Sequence, residues 1–353
     1  MPDRIYLDHA ATTPIRPEAL AAMQEGFKIW ANPSSPHAEG RKAKQALENA
    51  RERIKKALGW DGEVIFTSGA SEAARLAFDN ANVMHEAVST AEHDALHHFV
   101  TDRGAQEIRF DQDGLINHES LKKACEPSMA AGNVPENRSL VAVQLVNSET
   151  GTRQDIDTVA AIIGEYSGIL IADCAQSAGK LALPTTAGMV IVSAHKFGGP
   201  IGVGALLVKD FAMLKPAGGH ERGYRRGTEN LPDILGMAAA IETCDWHTTA
   251  DQREAFIARL SRDRLTIGQQ VDYIVPLVHP KMSAQALLIR LDSMGFAVSA
   301  GSACSSGTLK KSRVLDAFGV DDETASRTIR VSLGWNTTPE ELERFADAWV
   351  KLT

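Results

Sequence analysis

Short apolar runs at 63–67, 106–110, 140–146, 168–173, 188–193 and 203–208 recur along this chain, and helical patterns such as 37–57, 71–83 and 154–165 fall between them. Strands buried on both faces read as near-continuous hydrophobic runs rather than alternating ones. Their alternation with helices leaves few architectures open and predicts an α/β fold, with a mostly parallel, seven-stranded-type sheet covered by helices. Further helical runs, Leu231 to Trp246 and Arg253 to Gln269, lead into a smaller C-terminal α+β unit. Its strands are expected at 271–278, 295–298 and 328–332, and its last helix at the cap Thr338-Pro339-Glu340-Glu341. The expected division is a large domain over 15–246 and a small domain built from 1–14 and 247–353, with the N-terminal segment packing near the latter.

Polar residues at the ends of these runs carry the chemistry. Gly188-Met189-Val190-Ile191-Val192 is followed by Ser193-Ala194-His195-Lys196-Phe197-Gly198-Gly199-Pro200. A lysine at such a strand end meets the edge of the core, where desolvation favours the neutral, nucleophilic amine. Ser193 and His195 can hydrogen-bond an anion. The apolar run Leu170-Ile171-Ala172 ends in Asp173, and a buried carboxylate beside a Schiff-base lysine is what pyridoxal phosphate (PLP) needs to keep its pyridine nitrogen protonated. The segment Val64 to Ala73 reads as strand, small-residue turn and helix start, an anion site at the positive end of a helix dipole. Taken singly, each element also has an ordinary reading: a solvated loop lysine, an aspartate N-cap, a capped helix start. Lysine and aspartate together favour the cofactor.

At this point the chain resembles a known family, the cysteine desulfurases of the NifS/IscS type within the class V aminotransferase group of fold-type I PLP enzymes. The motifs run from end to end: YLDHAATTP at Tyr6–Pro14, NPSSPHAEGR at Asn32–Arg41, TSGASEA at Thr67–Ala73, AEHDA at Ala91–Ala95 and NSETG at Asn147–Gly151. They continue with DCAQSAGK at Asp173–Lys180, SAHKFGGP at Ser193–Pro200, GGHERGYRRGTEN at Gly218–Asn230, SAGSACSSG at Ser299–Gly307 and IRVSLGWNTTPEEL at Ile329–Leu342.

The resemblance implies conversion of L-cysteine to L-alanine, with the sulfur passing to an enzyme cysteine as a persulfide for iron-sulfur cluster assembly or another acceptor pathway. Lys196 would hold PLP covalently, Asp173 would pair with its ring nitrogen, and His93 would stack on its face. Gln176 would bond the phenolic oxygen, with Asn147 and Ser148 nearby. Ala70, Ser71, Ser193 and His195 would hold the phosphate, and Thr228 would reach in from the neighbouring subunit of a homodimer. Arg330, with Asn32, would grip the substrate carboxylate through a guanidinium fork. Cys304 would take the sulfur and hand it to an acceptor such as an iron-sulfur scaffold protein. Within the same group, a selenocysteine lyase or another class V aminotransferase-like enzyme is the alternative. An inactive binding or regulatory paralogue is the alternative outside it.

Serine, alanine and glycine dominate 299–308, the open setting that sulfur hand-off from Cys304 requires. Cys125, Cys174 and Cys244 read as inert. Three positions depart from the family pattern: Ser148 stands for an asparagine, Arg75 for an asparagine and Ile201 for a lysine.

Thirty-seven basic and 45 acidic residues give a formal net charge of −8, against nucleic acid as a general partner. No 18-residue apolar run and no signal peptide is visible, so no membrane association is expected. Four scattered cysteines without a C-x-x-C pair, among 353 residues, fit neither a disulfide framework nor a zinc site; a reducing cytoplasm and no bound metal are the expectation.

Overall fold

The computed structural model describes residues 4–126, 138–300 and 312–353. The main sheet has seven strands: β2 (Glu63–Thr67), β3 (His85–Ser89), β4 (Gln106–Ile108), β5 (Ser139–Gln144), β6 (Ile169–Asp173), β7 (Met189–Ser193) and β8 (Gly204–Val208). Their spatial order is β2-β8-β7-β6-β5-β3-β4, and β8 alone runs against the rest. The four strands β5 to β8 are buried at every position, which is why they read as unbroken apolar runs. Two apolar clusters, one on each face, pack the sheet against its helices. The α/β class and mostly parallel sheet are as the sequence predicts.

β3 is absent from the sequence-derived strands. It begins His85-Glu86 and only its last three residues are buried, so no apolar run marks it, yet it pairs with both β4 and β5. Helix boundaries also differ. The helix expected over Arg253–Gln269 spans Ala250–Arg259, because a capping box between Thr249 and Gln252 starts it early. The run Leu231–Trp246 is helical only to Glu242.

The C-terminal strands are β9 (Ile274–Val278), β10 (Phe296–Ala297) and β11 (Thr328–Ser332), and β9 pairs antiparallel with β11. The N-terminal strand β1 (Ile5–Tyr6) pairs in parallel with β10, and Asp8 bridges Ser332. The first residues thus pack against the C-terminal strands. The last helix, Pro339–Leu352, has Thr338 as cap, with its Oγ1 and the Glu341 carboxylate closing a capping box.

The segment Gly218 to Gly227 is anchored to the core. Glu221 is 4% exposed and takes both terminal nitrogens of the buried Arg51, at 2.8 and 3.0 Å, plus the Phe66 amide at 2.8 Å. Satisfying this buried fork holds Glu221 and Arg222 at positive φ, 49° and 58°.

Candidate active site

The C-terminal ends of the parallel strands converge on one edge of the sheet, where ligands of open α/β folds bind. A cavity of about 460 Å³ lies there, a size suited to a cofactor. Gln144 ends β5, Asp173 ends β6, Ser193 ends β7 and His195 and Lys196 follow it; all five line the cavity. The turn after β2 adds Ser68 to Glu72, and the turn after β3 adds His93.

Lys196 Nζ donates to the carbonyls of Ala10 at 2.6 Å and Ala11 at 2.9 Å. Burial and the nearby Arg330 guanidinium bring its pKa down to about 8, opposed by Asp173 and Asp8. The neutral, nucleophilic amine is thus far more accessible near neutral pH than that of an ordinary lysine. Asp173 is buried, and its Oδ1 accepts from the Ala175 amide at 2.8 Å. Burial raises its pKa, while that hydrogen bond, His93 and Lys196 oppose the rise. A cationic ring nitrogen set against this carboxyl would restore its charged form. His195 is held neutral, its pKa lowered to about 4 by burial and by Lys196 and Lys180, with its Nδ1 on Thr12 Oγ1 at 3.1 Å.

The helix Ala70–Asn80 starts without a side-chain cap. Its N-cap is Gly69 at φ 147°, a residue with no side chain to accept from the first amides. Glu72 turns back instead, accepting from the Ser68 amide and, at 2.8 Å, from Arg225 Nε. An anion would satisfy these free donors. Gln176 adds a second vacancy: Nε2 donates to the Ala10 carbonyl at 2.9 Å, but its buried Oε1 has no partner.

Ala70, Ser71, His93, Ser148, Asp173, Gln176, Ser193, His195 and Lys196 are therefore brought to one cavity. Asn147 is not. It is buried, with its Nδ2 on Ala91 and Gln144 and its Oδ1 taken by the Glu149 and Thr150 amides and the Thr150 hydroxyl, so its amide shapes the turn and leaves Ser148 facing the cavity. Arg330, in β11, is 5% exposed. Its Nη1 donates to the Ser148 carbonyl and Nη2 to Asp8 Oδ1, both at 2.8 Å, and its Nε has no partner. Asn32 and Thr228 are exposed and line no part of this cavity within the chain. Asn32 spends its Oδ1 on the Ser34 amide at 2.8 Å. Cys304 lies outside the described residues. Cys125 and Cys174 are buried thiols whose pKa values burial pushes up, and Cys244 donates to the Ile241 carbonyl at 3.0 Å, away from the cavity.

No role was expected from the sequence for Ala11, which lines the cavity, for Asp8, Ala10 and Thr12, which hydrogen-bond Arg330, Lys196 and His195, or for Gln144 and Glu92. The signal for the first four was the Tyr6–Pro14 motif itself, which keeps an aspartate and threonines in a stretch too short to cap any helix.

A family model of aminotransferase class V matches residues 5–345. The chain belongs to that family. Among class V relatives, the chain is 33% identical to cysteine desulfurase IscS of Dictyoglomus turgidum, an alignment covering 98% of this chain and 94% of that protein. The NifS-like protein of Rickettsia africae superposes with a TM-score of 0.88 at 27% identity, covering 99% of each chain. The structure of SspA in complex with cysteine superposes with a TM-score of 0.79 at 29% identity, covering 95% of this chain and all of that one. Class V membership makes the chain an enzyme whose sheet edge, as described above, holds the reactive groups. Among the described residues, no helix is long and apolar enough to cross a membrane.

Proposed function

We propose that this chain is a PLP-dependent cysteine desulfurase, converting L-cysteine to L-alanine and passing the sulfur to Cys304 as a persulfide. The observation that carries this reading is the meeting of a lysine with lowered pKa, a buried carboxyl and an uncapped helix start in one cavity. The family and the names of its relatives agree with it.

The residues present fit the cofactor. Lys196 would hold it covalently and Asp173 its ring nitrogen. The free amides at Ala70 and Ser71, with Ser193 and His195, would take its phosphate, and Gln176 would stand at its phenolic oxygen, with the unpartnered Oε1 accepting from the phenolic hydroxyl. His93 would cover the ring face, and Ser148 would stand beside it. When bound, the cofactor supplies an electron sink that stabilises negative charge developing on the substrate. Arg330 would orient the substrate by its carboxylate, its guanidinium fixed by Asp8 and the Ser148 carbonyl. Lys196, whose lowered pKa makes its neutral form accessible near neutral pH, would take and return the proton at the substrate carbon. The Cys304 thiolate attacks the substrate sulfur: the carbon–sulfur bond breaks, a sulfur–sulfur bond forms on Cys304, and alanine leaves after its carbon regains a proton.

The same reading makes the protein a cytoplasmic homodimer. Thr228, exposed on a firmly anchored loop, reaches the neighbour's phosphate site, and an acceptor protein such as an iron-sulfur scaffold collects the sulfur. The large domain, 15–246, carries the cofactor, and the small one, 1–14 and 247–353, carries Arg330 and Cys304. The test is direct. Reconstituted protein given L-cysteine and a thiol reductant should release alanine and sulfide in equal amounts; release of neither, with cofactor covalently bound, would overturn the assignment.

A further inference from the structure

The turn that carries His93 is gripped from two sides. From inside the sheet, the fully buried Glu92 carboxyl accepts at Oε1 from Ser89 Oγ at 2.5 Å and from the Gln144 amide at 2.6 Å. From outside comes Arg313, which follows the end of the small-domain cysteine segment. Its Nη1 donates to the Thr90 carbonyl, and its Nη2 to the Glu92 carbonyl at 2.6 Å and to Asp94 Oδ1 at 3.1 Å. Three acceptors within five residues, flanking His93 on both sides, meet one planar guanidinium.

The base of that guanidinium is fixed as well. Ser312 caps the short helix Arg313–Ala317, accepting from the Leu315 amide at 3.1 Å, and donates to Oε2 of the buried Glu149 at 2.6 Å. Glu149 belongs to the turn whose Ser148 faces the cavity. The dipeptide Ser312-Arg313 therefore fastens both turns that border the cavity, one through each residue. His93 needs such fastening. It is exposed, so packing does not hold the ring, and its Nδ1 is spent on the Ala95 amide at 3.1 Å.

We propose that Arg313 is a positioning residue for His93: its guanidinium locks the 90–94 turn so that the imidazole stands in the cavity wall, and the Ser312–Glu149 hydrogen bond locks the guanidinium. Only the kinetic consequence rests on the desulfurase reading. A lysine cannot replace the fork, because a single ammonium does not span three acceptors in one plane.

The experiment compares full-length wild type with Arg313→Gln and Arg313→Lys, first cofactor-free and then reconstituted with PLP. In the cofactor-free protein, hydrogen exchange at the amides of 91–95 should rise on the order of tenfold in both variants, while β5 to β7 keep wild-type protection. After reconstitution, the cofactor absorption band should shift in the direction given by His93→Ala, and kcat should fall about tenfold with KM for cysteine nearly unchanged. Ser312→Ala, which removes only the base of the clamp, should move the same readouts less and covers the case that Arg313→Gln does not fold. Unchanged exchange at 91–95 in the Arg313 variants would overturn the proposal, as would a uniform rise across the sheet. Because exchange is read without cofactor or substrate, it can fail while the desulfurase assignment stands, and the reverse.

Discussion

Asp8 Oδ1 accepts a 2.8 Å hydrogen bond from Arg330 Nη2, joining the seventh-from-last motif residue of the N-terminal segment to the strand that carries the proposed substrate clamp. The guanidinium is nearly buried and the carboxylate about a fifth exposed, so the pair is screened far less than a surface salt bridge. It fixes the rotamer of Arg330 and leaves Nε free. Replacing Asp8 by Ala should raise KM for cysteine on the order of tenfold, about 1.4 kcal/mol, with little change in kcat. Steady-state kinetics on the reconstituted variant would check this, and an unchanged KM would remove Asp8 from the substrate site.

The lowered pKa of Lys196 makes a pH prediction for the cofactor-free protein. The neutral amine is the nucleophile, and it forms as pH rises through about 8. The rate of covalent PLP uptake should therefore climb toward a plateau above that value. An unperturbed lysine would keep climbing past pH 10. Stopped-flow absorbance across that range separates the two.

Glu92 carries the opposite shift. Burial, with the nearby Asp173 charge, raises its pKa from 4.5 to about 8. A raised folded-state pKa means that the folded protein binds the proton more tightly. Its stabilising contribution is full below pH 4.5 and is lost as pH rises toward about 8, at about 1.4 kcal/mol per pH unit crossed. Glu92→Gln, neutral throughout, should flatten that part of the profile. Denaturant midpoints between pH 5 and 8 would measure it.

The close approach of β8 to the turn after β2 gives a fourth test. A Cβ on Gly204 would lie 2.8 Å from the Gly69 Cα and 2.6 Å from the Val192 carbonyl oxygen. Gly204→Ala must push the turn away, costing about 1–3 kcal/mol of stability and weakening PLP affinity more than Lys196 reactivity. Fluorescence titration with PLP would register the change.

Most of the sheet was legible because burial on both faces leaves continuous apolar runs, as at Met189–Val192. β3 escaped because its first two residues are polar and half-buried. The strand-end residues Asp173, Ser193 and Lys196 were legible for the same reason the strands were: the apolar run stops where they begin. Asp8, Glu92 and Arg313 were not. Each acts through tertiary contacts across more than 50, and in two cases more than 200, positions of chain, as in Glu92 to Gln144, Arg313 to Thr90 and Asp8 to Arg330, and no local pattern encodes such pairings. Asn147 misled for the converse reason. Its residue type suits a cofactor contact, but the turn it occupies consumes its amide.

In the proposed reaction, removal of sulfur from cysteine depends on Lys196 and ends on Cys304. Mass spectrometry of reconstituted protein after a single turnover with L-cysteine, without reductant, measures this most directly. One added sulfur atom is expected on the peptide containing Cys304, in equal amount with alanine, and neither product in Lys196→Ala. Alanine formed without sulfur on Cys304, or sulfur on Cys304 in the Lys196→Ala variant, would contradict it.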